Sequence, residues 1–181
     1  EAGRGEWGGK MQSDISDGLA ELARQGIVDP KRACIVGGSY GGYAAMAGVT
    51  LQQGLYRCAV SLAGVSDLFD LFASDMRESG GNQTLRRYLT EDMGSGRDLK
   101  AVSPINFVER ADAPILLIHG KDDTVVPFKQ SKRMEAALAH AGKPVEFVTL
   151  EGEDHWLSMG ATRLAMLQAT VNFVEKHNPP D

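Results

Sequence analysis

Between two apolar stretches the chain narrows to Gly37-Gly38-Ser39-Tyr40-Gly41-Gly42, and this glycine-flanked serine limits the possible folds more than any other segment. Ala33-Cys34-Ile35-Val36 before it has the length of a buried strand, and a helix of small residues follows from Tyr43 to about Gln52. A strand that turns sharply into a helix leaves little room beside the turn, so the serine's neighbours must be small. Twelve of the 21 glycines fall in the first 54 residues, so the enrichment belongs to this local feature rather than to a diffuse linker. The competing reading is a phosphate loop at a helix start. It is the weaker one, because no Lys follows and the spacing is not G-x-G-x-x-G.

The rest of the chain alternates in the same way. Ile15, Leu19 and Leu22 recur at helical spacing, which predicts a helix from Ser13 to about Gln25 with Ser13 as its cap. Strands are predicted at Cys58–Leu62, at 114–119 and at Val145–Leu150, with helices over 127–141 and 158–176. Residues 64–113 are less regular and read as several short helices. Four strands separated by helices imply an α/β fold, a parallel sheet with helices on both faces. The 181 residues read as one domain. Alternation alone fits a flavodoxin-like or Rossmann-like sheet equally well, so the motifs have to decide.

A net charge of -5 argues against a nucleic-acid partner. No apolar run approaches the roughly 18 residues of a membrane span, so no membrane partner is expected. Cys34 and Cys58 lie in apolar stretches without close spacing; they read as buried free thiols, neither a zinc site nor a disulfide framework. The sequence opens on Glu1, with no signal-like stretch after it. A targeting segment could have been removed, so the compartment stays unknown, with the cytoplasm slightly favoured.

A serine hydroxyl needs a base and an orienting acid before it can act as a nucleophile. His140 and His177 fall at predicted helix C-termini, where a cation near the negative end of the dipole explains them. His119 ends a strand beside Gly120 and reads as packing. His155 lies in Glu151-Gly152-Glu153-Asp154-His155-Trp156, the loop after the last strand, on the sheet edge that also carries Ser39. The acid belongs on the loop after the preceding strand, where spacing alone leaves Asp122 and Asp123 both open. The order Ser, Asp, His is that of the α/β-hydrolases.

Taken together, Gly37 to Tyr43, His119-Gly120-Lys121-Asp122-Asp123 with Val126-Pro127 and Gln130, and Gly152-Glu153-Asp154-His155 resemble the catalytic domain of the prolyl oligopeptidase family, its acylaminoacyl-peptidase and dipeptidyl-peptidase branches in particular. Gly5-Glu6-Trp7-Gly8, followed by Asp14 and Asp17, is similar to the stretch that precedes the nucleophile there. The resemblance implies an α/β-hydrolase fold, Ser39 as nucleophile, His155 as base and Asp123 as acid. It puts Tyr43, Val125 and Val126 at the substrate pocket. The implied chemistry is acyl transfer on a peptide, with the Tyr40 backbone N–H as one oxyanion donor and with no metal or cofactor. A carboxylesterase acting on a small ester is the alternative on the same scaffold. A non-catalytic α/β binding module is the alternative of another class.

The chain also departs from that pattern. In the α/β-hydrolase fold the nucleophile follows the fifth strand, whereas here it follows the first one legible. The early strands are absent, and with them the family's second oxyanion donor and the β-propeller that usually precedes the domain. Residues 1–181 are therefore expected to form a partial catalytic domain. The strand before Ser39 should be a bare edge, and the faces of Ile15 to Leu22 and of Tyr43 to Met46 should lose cover. An N-terminal fragment of the same protein, or a second copy, is expected to complete the sheet.

Overall fold

In the computed structural model, which describes residues 2–180, four parallel strands stand in the order β1-β2-β3-β4. They are β1 (Cys34–Gly38), β2 (Cys58–Leu62), β3 (Ile115–Gly120) and β4 (Val145–Leu150). All six residues of β3 are buried, as befits an inner strand of a parallel sheet. Six helices surround the sheet: α1 (Lys10–Arg24), α2 (Tyr40–Thr50), α3 (Leu68–Glu78), α4 (Gln83–Met93), α5 (Lys129–His140) and α6 (Gly160–His177). Successive strand residues point to opposite faces. Ile35, Ala59, Ile115 and Leu117 pack against Met46 and Val49 of α2 and Met134 and Leu138 of α5. Cys58, Val60, Leu116 and Ile118 meet Phe173 of α6 on the other side. Helices cover both faces.

The irregular stretch after β2 consists of α3, α4 and two short 3-10 segments at Leu99–Val102 and Pro104–Arg110. Asp67 and Asn82 cap α3 and α4 by accepting the backbone N–H of Asp70 and Leu85. Leu68, Leu71, Met93 and Leu99 bury their side chains with Tyr43, Ala47 and Val126, which ties the excursion to α2.

Three sequence expectations are corrected. Helix α1 begins at Lys10, because the Glu6 carboxylate accepts the Lys10 N–H at 3.0 Å. Ser13 lies inside the helix and turns its hydroxyl back to the Lys10 carbonyl instead of capping. Cys34 and Cys58 form a disulfide rather than two free thiols. They are register partners at the start of β1 and β2 with Cα atoms 4.7 Å apart, a proximity that their separation in sequence conceals. Tyr43, Ala44, Ala45 and Met46 are buried, since α2 is sandwiched among β1, β2, α1 and the second 3-10 segment.

Strand β1 is an edge of the described sheet, with Val36 54% exposed, and Ile15 and Leu22 of α1 are exposed too. Among the described residues, no helix is long and apolar enough to cross a membrane.

Candidate active site

The turn from β1 into α2 holds Ser39 at φ 56 and ψ -117, a left-handed backbone that is unusual for a residue with a side chain. It is pinned there from both sides: its N–H donates to the Leu62 carbonyl at 2.9 Å, and its carbonyl accepts the Tyr43 N–H at 3.1 Å. Gly37 cannot carry a side chain, because a Cβ would collide with the Gly41 carbonyl. Tyr40 is the first residue of α2, so its backbone N–H has no acceptor within the helix.

Three strand ends bring the three expected side chains together. Ser39 follows β1, Asp123 follows β3 and His155 follows β4. His155 Nε2 lies 3.1 Å from Ser39 Oγ, and His155 Nδ1 lies 2.7 Å from Asp123 Oδ2. The Asp123 side chain is fully buried and that of His155 nearly so. Asp123 Oδ1 accepts the backbone N–H groups of Val125 and Val126, each at 2.8 Å. Asp122 is exposed, and its backbone N–H donates to the Glu153 carbonyl at 3.0 Å. The two adjacent acids thus have different environments.

The His155 loop has its own support. The buried Glu153 carboxylate accepts the N–H groups of Asp154 at 3.0 Å, Ser158 at 2.8 Å and Met159 at 3.3 Å, together with the Thr162 hydroxyl. The Thr162 bond is the main reason its carboxyl is held below the usual range. Gly120, at the end of β3, lets the backbone of Glu153 lie directly against it, where any side chain would collide.

A cavity of about 240 Å³ opens beside the serine, lined by Gly38, Ser39, Leu62, Ala63, His155 and Trp156. Trp156 is 77% exposed and stands edge-on to the His155 ring, with centroids 5.3 Å apart. Its place next to His155 in sequence was the only signal that could have singled it out. Tyr43 and Val126 lie instead in the buried cluster under α2, where the Tyr43 hydroxyl donates to the Val102 carbonyl at 2.8 Å. Burial pushes the Tyr43 phenol pKa up. Val125 is half exposed on the Asp123 loop. Among the described residues, no group of three or more His, Cys, Asp or Glu side chains could hold a metal ion.

Solved structures of similar shape are α/β-hydrolase peptidases. A puromycin-hydrolyzing peptidase from Mycobacterium tuberculosis superposes with a TM-score of 0.88 at 30% identity, over 99% of this chain and 27% of its own. An acylaminoacyl peptidase in complex with Z-Gly-Gly-Phe-chloromethyl ketone gives a TM-score of 0.83 at 26% identity, over 99% of this chain and 29% of its own. The prolyl oligopeptidase family model matches residues 1–179, and the chain belongs to that family of serine peptidases. Dipeptidyl peptidase family member 6 of Caenorhabditis elegans is 33% identical over 85% of this chain. Dipeptidyl aminopeptidase BIII of Pseudoxanthomonas mexicana is 29% identical over 96%. The chain spans only 21% and 26% of the lengths of these two relatives. All four of these proteins are named as peptidases, which gives no support to the esterase alternative.

Proposed function

We propose that this chain carries the reactive centre of a serine peptidase that cleaves aminoacyl or acylaminoacyl peptide bonds through an acyl-enzyme. The observation that supports it best is the continuous hydrogen-bonded line from Ser39 Oγ through His155 to Asp123. In this reading His155 Nε2 takes the Ser39 proton as Oγ attacks the carbonyl carbon, and Asp123 orients the ring and stabilises its cation. The Tyr40 N–H donates to the oxyanion. His155 then returns the proton to the leaving amine, and water releases the acyl group by the same route in reverse. Only an unprotonated Nε2 can accept the serine proton, so hydrolysis declines in acid.

Fluorophosphonate labelling, followed by paired assays on an aminoacyl amide and a short acyl ester, tests this reading. Labelling at Ser39 with amide turnover is expected. A chain that takes no label, or that turns over the ester alone, overturns it.

The free edge of β1 supports a second part of the proposal, that an N-terminal piece of the same protein or a second copy pairs with this strand. Mass spectrometry and light scattering on active material test it. A monodisperse 19.5 kDa monomer with full activity and no second polypeptide overturns it.

A further inference from the structure

Asp123 Oδ2 faces two imidazoles, not one. His155 Nδ1 approaches it at 2.7 Å, and His119 Nε2 at 3.2 Å. His119 is fully buried on β3 and plays no part in the acyl transfer described above. Its Nε2 also lies 2.9 Å from the Val126 carbonyl. Both neighbours of Nε2 are acceptors only, so the proton resides on Nε2. Nδ1 must then accept, and the buried Ser131 hydroxyl on α5, 2.7 Å away, donates to it. Burial lowers the affinity of this ring for a second proton, in keeping with a neutral imidazole.

We propose that His119, held in its Nε2–H form by Ser131, is a positioning residue that fixes the Asp123 carboxylate as the acceptor for His155. The inference rests on the reading of Ser39, His155 and Asp123 as the reactive centre. The His119 N–H bonds the Val126 carbonyl at 2.9 Å and stands 3.2 Å from Oδ2, so the ring holds the turn whose Val125 and Val126 N–H groups donate to Oδ1 while His155 meets Oδ2. A neutral donor suits this place. A cation there would compete with the imidazolium of His155 for the same negative charge, whereas a neutral ring bonded to the Val126 carbonyl leaves that charge to His155.

Three variants measured with the aminoacyl amide test the inference. His119→Phe keeps a ring but removes both nitrogens. It should lower kcat by about 10²-fold with KM nearly unchanged, the scale of a small misplacement of a reacting group. His119→Gln, whose amide offers a donor and an acceptor, should recover most of the loss, and Ser131→Ala should fall between the two. A folded His119→Phe with wild-type kcat, a loss confined to KM, or a His119→Gln as poor as His119→Phe overturns the inference. If His119→Phe does not fold, Ser131→Ala decides, and an unchanged kcat overturns it. Fluorophosphonate labelling of the unmodified protein separates the two failures: without label at Ser39, the underlying reading has failed rather than the role of His119.

Discussion

Gly42 of α2 and Gly64 after β2 meet backbone to backbone: a Cβ on Gly42 would lie 2.7 Å from the Gly64 Cα and 2.8 Å from the Leu62 carbonyl oxygen. The same Leu62 carbonyl accepts the Ser39 N–H, so this contact sets the height of the serine above the sheet. Gly42→Ala must push α2 away from β2. It should destabilise the fold by about 1–3 kcal/mol, the usual range for overpacking, and lower kcat as well. Thermal melts and amide hydrolysis check both.

Removal of the Ser39 hydroxyl should abolish labelling and cut turnover on the order of 10⁴-fold or more, while the circular dichroism spectrum is unchanged. The positive φ at this position adds a second expectation. Ser39→Gly should be more stable than Ser39→Ala by about 1 kcal/mol or more, because glycine adopts that backbone without strain.

Asp123→Asn should reduce kcat on the order of 10⁴-fold by favouring the wrong His155 tautomer. Asp122→Asn should have a mild effect, since the Asp122 side chain is exposed and its structural bond comes from the backbone. The reverse order would show that the two acids have been assigned wrongly.

Glu153 and Asp154 both bind protons more weakly in the folded chain than in the unfolded one, chiefly through the hydroxyls of Thr162 and Ser158 respectively. A depressed carboxyl pKa adds stability above the unfolded value, and that stability is lost as pH falls through the folded one. Acid should therefore weaken the fold below the ordinary carboxylate range. Glu153→Gln should be less stable near neutrality and show a shallower acid slope in melts taken across pH.

The Cys34–Cys58 bridge closes a loop with a sequence separation of 24 residues. Its removal by Cys34→Ser with Cys58→Ser should cost about 3 kcal/mol on chain-entropy grounds. Melts with and without reductant should differ in the unmodified protein and coincide in the double variant.

Sequence pattern located what depends on local spacing. The apolar runs at 58–62 and 145–150 coincide with β2 and β4, and the G-x-S-x-G turn sits between a strand and a helix as read. What escaped depends on contacts across the fold. The cysteine pair needs the β1–β2 register, which no spacing encodes. Helix α1 starts early because Glu6, outside the periodic segment, reaches Lys10. Spacing could not choose between Asp122 and Asp123, because the difference is burial and two N–H donors supplied by the turn. His119 read as packing for the same reason: its link to Asp123 exists only once that turn has closed.

The close approach of Gly120 to the Glu153 backbone makes the Asp123 and His155 loops a single mechanical unit, further tied by the Asp122 N–H to the Glu153 carbonyl. Ser39 is tied by its backbone N–H to Leu62 at the end of β2, and it meets the His155 loop through its hydroxyl, 3.1 Å from His155 Nε2. The weak joint of the site is therefore between Ser39 and His155, not between His155 and Asp123. On gentle warming, hydrolysis should fade while the Asp123–His155 hydrogen bond, followed by its proton resonance, is still intact. The machinery would come apart at the serine first.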